Sequence, residues 1–106
     1  MLSKENLKYL RGVASTMQPA EHIGKSGITK MVIEQIDRNL EANELCKIKI
    51  LPNSYLDEKE TLLSLASSLN AEPIQNIGNV IVLYRFSTRK KNHVLIKNIG
   101  EQNGRK

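Results

Sequence analysis

The chain has 106 residues and is poor in several residue types: one cysteine, no tryptophan, three tyrosines, one phenylalanine and three prolines. A lone thiol, Cys46, can make no intrachain disulfide and no cysteine metal cluster. Long apolar runs are missing too. The longest strongly apolar stretch is Val80 to Tyr84, far short of the ~18 residues a membrane helix needs. No apolar segment follows Met1-Leu2-Ser3-Lys4-Glu5, so no signal peptide is expected. Together these absences point to a soluble protein of a reducing compartment, the cytoplasm, with no membrane partner. The scarce aromatics, Tyr9, Tyr55, Tyr84 and Phe86, form no strand motif for stacking bases. Any nucleic-acid contact should then rest on phosphate and shape.

Acidic residues are scarce at one end only. Residues 85–106 hold seven basic side chains and one acid, Glu101, whereas residues 1–84 carry a net charge of −1. The whole excess of the +5 net charge therefore lies in the tail. A basic tail suits a polyanion partner or simply keeps the chain soluble.

Hydrophobic periodicity orders the rest. Leu7, Leu10, Ala14 and Met17 mark one face of a first helix that Ser3 caps and Pro19 stops. Lys4, Lys8, Arg11 and Ser15 form a separate basic stripe on it. A short extended piece, Ala20 to Ile23, leads into Gly24-Lys25-Ser26-Gly27. Thr29 caps a second helix with Val32, Ile33, Ile36 and Leu40 inward. In the next strand Cys46, Ile48 and Ile50 alternate with Lys47 and Lys49. Asp57 opens a third helix, with Glu60 three residues on. Two more strands follow, about Pro73 to Ile77 and Val80 to Arg85, joined by Gly78-Asn79 as a hairpin turn. The order α-β-α-β-α-β-β predicts an α/β two-layer sandwich. All helices would lie on the Cys46, Ile48 and Ile50 face, leaving Lys47 and Lys49 in solvent. Residues 1–87 make one domain; residues 88–106 are a basic tail, either disordered or forming a short element around Val94, Leu95, Ile96 and Ile99.

Gly24-Lys25-Ser26 invites a P-loop reading, but the first glycine of that motif would fall at Pro19. Proline has a fixed φ and no N–H, which defeats a phosphate cradle. A Gly-x-x-Gly turn between strand and helix has two readings: a tight turn, or a clamp on a nucleic-acid backbone of the kind KH domains use. Amides at a helix start, with Lys25 and Lys30 beside them, favour the clamp. No enzyme constellation emerges. His22 and His93 lack metal spacing, Asp57, Glu58 and Glu60 read as a helix start, and Cys46 reads as a core thiol.

Leu10-Arg11-Gly12-Val13-Ala14, Ile23-Gly24-Lys25-Ser26-Gly27-Ile28-Thr29, Leu45-Cys46-Lys47-Ile48-Lys49-Ile50, Ile77-Gly78 and Val82-Leu83-Tyr84-Arg85 together resemble the YhbY-like, CRM-domain family, over about residues 2–87. The resemblance implies a fold like the C-terminal domain of translation initiation factor three, with a four-stranded mixed sheet. It also implies a non-enzymatic RNA-binding protein without cofactors, whose bacterial members associate with large-ribosomal-subunit precursors. The resemblance implies RNA-binding residues at Gly24, Lys25, Ser26 and Gly27 in the loop, Lys4, Lys8 and Arg11 on the first helix, and Arg85; Thr29 and Lys30, at the helix start after the loop, complete the candidate set. Where relatives often carry a basic residue after the hairpin glycine, this chain has Asn79. The competing reading is a protein–protein adaptor whose basic tail touches RNA incidentally.

Overall fold

The computed structural model describes residues 2–88 and His93. Along the chain run α1 (Lys4–Ser15), β1 (Glu21–Ile23), α2 (Lys30–Asn43), β2 (Leu45–Ile50), α3 (Glu58–Leu69), β3 (Glu72–Ile77) and β4 (Val80–Tyr84), with a 3-10 turn at Pro52–Ser54. Each helix starts where a side-chain oxygen accepts an orphan amide. Ser3 Oγ takes Asn6 N–H at 3.0 Å, Thr29 Oγ1 takes Val32 N–H at 3.1 Å and Asp57 Oδ2 takes Glu60 N–H at 2.9 Å. Such caps are worth about 1 kcal/mol each.

The four strands form one mixed sheet in the order β1-β2-β4-β3. β1 and β2 are parallel, so the chain between them must cross over, and α2 is that crossover. β4 pairs antiparallel with both β2 and β3. Ile77 faces Val80 across the Gly78-Asn79 turn. Gly78 sits at φ +57° and Asn79 at no positive φ, as in a type II′ turn.

The α/β class, element order and mixed sheet match the sequence reading; the layering does not. There are three layers rather than two. Ile23, Cys46, Ile48, Ile50, Ile81 and Leu83 lie on one sheet face under α2 and α3. Leu45, Ile74, Val82 and Tyr84 lie on the other, under Leu10 and Ala14 of α1. Central strands that are apolar on both faces need cover on both. Lys47 is accordingly not in solvent. Its Nζ donates to Ala14 O, in the last turn of α1, and to Met17 O just beyond it, both at 2.9 Å, where a positive charge suits the carboxyl end of a helix.

The end of β4 is tied down as well. Glu44 takes the left-handed conformation (φ 69°) after α2 and is buried. Its carbonyl accepts Arg85 N–H at 2.8 Å, and its carboxylate accepts Ser87 N–H at 2.8 Å. The same carboxylate pairs with Nδ1 of His93, whose ring stacks on Phe86 at a centroid distance of 4.2 Å. A residue beyond the expected boundary at 87 is thus held against the domain. The possible element at Val94–Ile99, and the tail's remaining basic residues, lie outside the described residues.

Candidate nucleic-acid interface

Ile23 ends β1 fully buried, and its carbonyl accepts Leu51 N–H at 2.8 Å. The chain then turns: Gly27 N–H donates to Gly24 O at 2.8 Å, which puts Lys25 and Ser26 at an exposed tip. The two glycines differ in what the fold asks of them. Gly27 sits at φ +69°, where a side chain is strained. Gly24 has no positive φ. A Cβ there would meet Leu51 Cδ1 at 3.4 Å and Asn53 Oδ1 at 3.5 Å, which is ordinary contact. Neither backbone conformation nor Cβ packing requires a glycine at position 24. Thr29 caps α2 with its hydroxyl, and Lys30 is exposed in the first turn. Lysine charge and a helix amino terminus thus converge at the loop, an arrangement suited to phosphate.

The remaining basic residues divide. Lys4, Lys8 and Arg11 are exposed on α1, as the stripe requires. Arg11 Nε donates to Ile74 O at 3.0 Å, which places it over the edge strand β3. Lys25 lies beyond the end of β1, at the opposite edge of the sheet. Strand spacing and rise put the two backbones roughly 20 Å apart at diagonal corners. The stripe and the loop therefore do not merge into one compact patch.

Arg85, expected in the interface, is taken up inside the domain. Its Nη1 donates to Asp37 Oδ1 and Leu69 O, both at 2.9 Å; its Nη2 donates to Asp37 O and Glu41 Oε2, both at 3.2 Å. Its side chain is only 16% exposed. This guanidinium fastens β4's end to α2 and to the last turn of α3, and both of its terminal nitrogens are engaged inside the domain.

Two features escaped the sequence reading. Tyr55, after the 3-10 turn, is 93% exposed with a left-handed backbone (φ 57°) and stands two residues from Asn53 beside Gly24. Its signal, an aromatic beside Pro52-Asn53-Ser54 in a loop, could have been used. The other is the difference between Lys47 and Lys49. Both alternate outward in the sequence, but only Lys47 is engaged by α1.

The thiol of Cys46 is buried in the sheet, and its pKa is pushed up to about 12 by burial and, secondarily, by the charge of Glu21. That is the opposite of what activates a nucleophile. Among the described residues no three His, Cys, Asp or Glu side chains are grouped to hold a metal ion.

Comparison with known proteins gives the family. The chain is 35% identical over 91 residues to "Probable RNA-binding protein YqeI" of Bacillus subtilis, covering 86% of this chain and 95% of that one. It is 29% identical over 90 residues to "RNA-binding protein" of Haemophilus influenzae, covering 85% and 91%. The solution structure of the hypothetical protein SAV1595 from Staphylococcus aureus is similar at a TM-score of 0.72 and 41% identity, covering 86% of this chain and 95% of that one. The CRS1 / YhbY (CRM) domain model matches residues 2–85, from the amino-terminal helix to the Arg85 that locks β4. With its Gly-x-x-Gly turn, its basic first helix and that span in register, the chain belongs to the CRS1/YhbY (CRM) domain family.

Proposed function

We propose that this chain is a non-enzymatic, cytoplasmic RNA-binding protein that holds the backbone of ribosomal RNA in large-subunit precursors during ribosome assembly. The observation that carries the reading is the Gly24–Gly27 turn. It presents Lys25 and Ser26 at an exposed tip against the start of α2, with Lys30 alongside. The names of its relatives and the family resemblance support RNA as the ligand. The choice of large-subunit RNA is supported by that resemblance.

Crosslinking in cells followed by mapping of the bound RNA tests the target. Enrichment of large-subunit ribosomal RNA is expected, and enrichment of unrelated transcripts would overturn the ribosomal assignment. Polarisation binding to structured ribosomal RNA at two salt concentrations tests the chemistry. Affinity should fall steeply with salt. Lys25→Ala should keep its unfolding midpoint, since an exposed lysine contributes within about 0.5 kcal/mol. It should also reduce the salt slope by roughly 0.7–1. No RNA affinity together with a co-purifying protein would favour the adaptor reading instead.

A further inference from the structure

The open end of the sheet lies between the Gly24–Gly27 loop and α1. His22, Lys49, Val80 and Ile77 stand in register across all four strands: His22 opposite Lys49, Lys49 opposite Val80, Val80 opposite Ile77. Their neighbours Ile23, Ile48, Ile50 and Ile81 are buried under α2 and α3. By strand alternation the row therefore points to the face that carries α1. But α1 covers Leu45, Ile74, Val82 and Tyr84 and leaves this last row open. Ile77 is 64% exposed, His22 is exposed and Lys49 is half-buried. Neither the His22 nor the Lys49 side chain makes a hydrogen bond or ion pair among the described residues, whereas the Lys47 side chain, one row back, makes two.

We infer that this row is a second RNA subsite, which takes an unpaired strand as it leaves the Gly24–Gly27 loop and leads it toward the basic face of α1. The inference rests on the RNA-binding reading above and adds the form of RNA and its path. His22 immediately precedes the buried Ile23 that enters the loop, so the row is continuous with the loop. It also lies between the two basic regions that the fold separates. Lys49 supplies a cation for phosphate. Val80 and Ile77 supply an apolar surface for a base or ribose, and the His22 ring can stack.

Charge decides against the other side of the loop. There Ile28 faces the start of α3 across a cleft lined by Asp57 and Glu60. Carboxylates repel a phosphate chain, and Tyr55 stands just before them. A duplex is too wide and rigid to lay its bases on one row of side chains, so the subsite selects unpaired RNA.

The test uses the full chain with two fluorescein-labelled probes, a mixed-sequence single-stranded RNA 20-mer and the same sequence as a duplex. Lys49→Ala should weaken single-strand binding about fivefold, with a salt slope lower by about 0.7. Ile77→Ala should weaken single-strand binding with no change in slope, and neither change should alter duplex binding comparably. Lys59→Ala, an exposed lysine on α3, is the control and should match wild type. If Lys25→Ala binds less but Lys49→Ala matches Lys59→Ala, the loop reading stands and the sheet subsite is overturned. Loss on Tyr55→Ala with Lys49→Ala silent would place the strand on the α3 side and also overturn it. If wild type binds neither probe, the RNA-binding reading itself fails.

Discussion

Gly24 and Gly27 look equivalent in the sequence and are not equivalent in the molecule. Only Gly27 needs a left-handed backbone. Gly27→Ala should therefore cost about 1 kcal/mol or more in a urea titration, while Gly24→Ala stays near wild type. If the bare backbone at Gly24 serves RNA, Gly24→Ala should still lose affinity in a polarisation titration. Equal stability loss in both variants would mean that both glycines serve the turn. Cys46 gives a second residue-scale prediction. Its pKa rises from 9.0 to about 12 on folding, so the unfolded chain loses its thiol proton first. Burial, with the charge of Glu44 adding to it, also raises the Tyr84 hydroxyl above its ordinary 10.0. Groups raised by folding stabilise fully below their unfolded values, and that contribution fades as pH climbs through the folded ones. Melting temperature should thus be lost from about pH 9 upward, and Cys46 should resist alkylation in the native state. A thiol that reacts readily at pH 8 without unfolding would contradict its burial.

At the scale of elements, the attachment of α1 is the least expected feature. Lys47 reaches from β2 to the carbonyls of Ala14, in the last turn of that helix, and of Met17, just beyond it, so one side chain ties the second sheet face to the helix end. Lys47→Ala should cost about 1.5–3 kcal/mol, the range for hydrogen bonds made by a charged group. Once compared under conditions where both are folded, it should leave the RNA salt slope unchanged. Chemical denaturation and a salt titration on the same variant separate these effects. A stable Lys47→Ala with a reduced slope would show that this lysine serves RNA and not α1. The alternation of Lys47 and Lys49 was legible in the sequence. Which of them meets a helix was not, because that depends on how far along the sheet α1 reaches.

For the molecule as a whole, the basic tail and the domain are not independent. The sequence places the boundary at 87, yet His93 stacks on Phe86 and pairs with the buried carboxylate of Glu44. Removing residues 88–106 should then lower stability by about 1–3 kcal/mol, since it takes a hydrogen-bond partner from the buried Glu44 side chain. It should lower RNA affinity on matched and unmatched RNAs by similar factors through lost counterion release. Calorimetry and binding on the truncated chain check the two halves. An unchanged melting temperature would show that the His93 contact adds nothing to stability.

Periodicity and local chemistry alone determined the three helices, the four strands, their caps and the glycine-framed turn. Those depend on side chains a few residues apart: Thr29 reaching Val32, Asp57 reaching Glu60, or Gly78 allowing a tight reversal. Tertiary structure alone decided which face α1 covers, which lysine remains free, and that Arg85 is drawn inward to Asp37, Glu41 and Leu69. These contacts join residues 16 to 63 positions apart. Hydrophobic alternation says that a side chain leaves one face of a strand. Only the packing of the other layers says whether it then meets water, a helix end or a carboxylate.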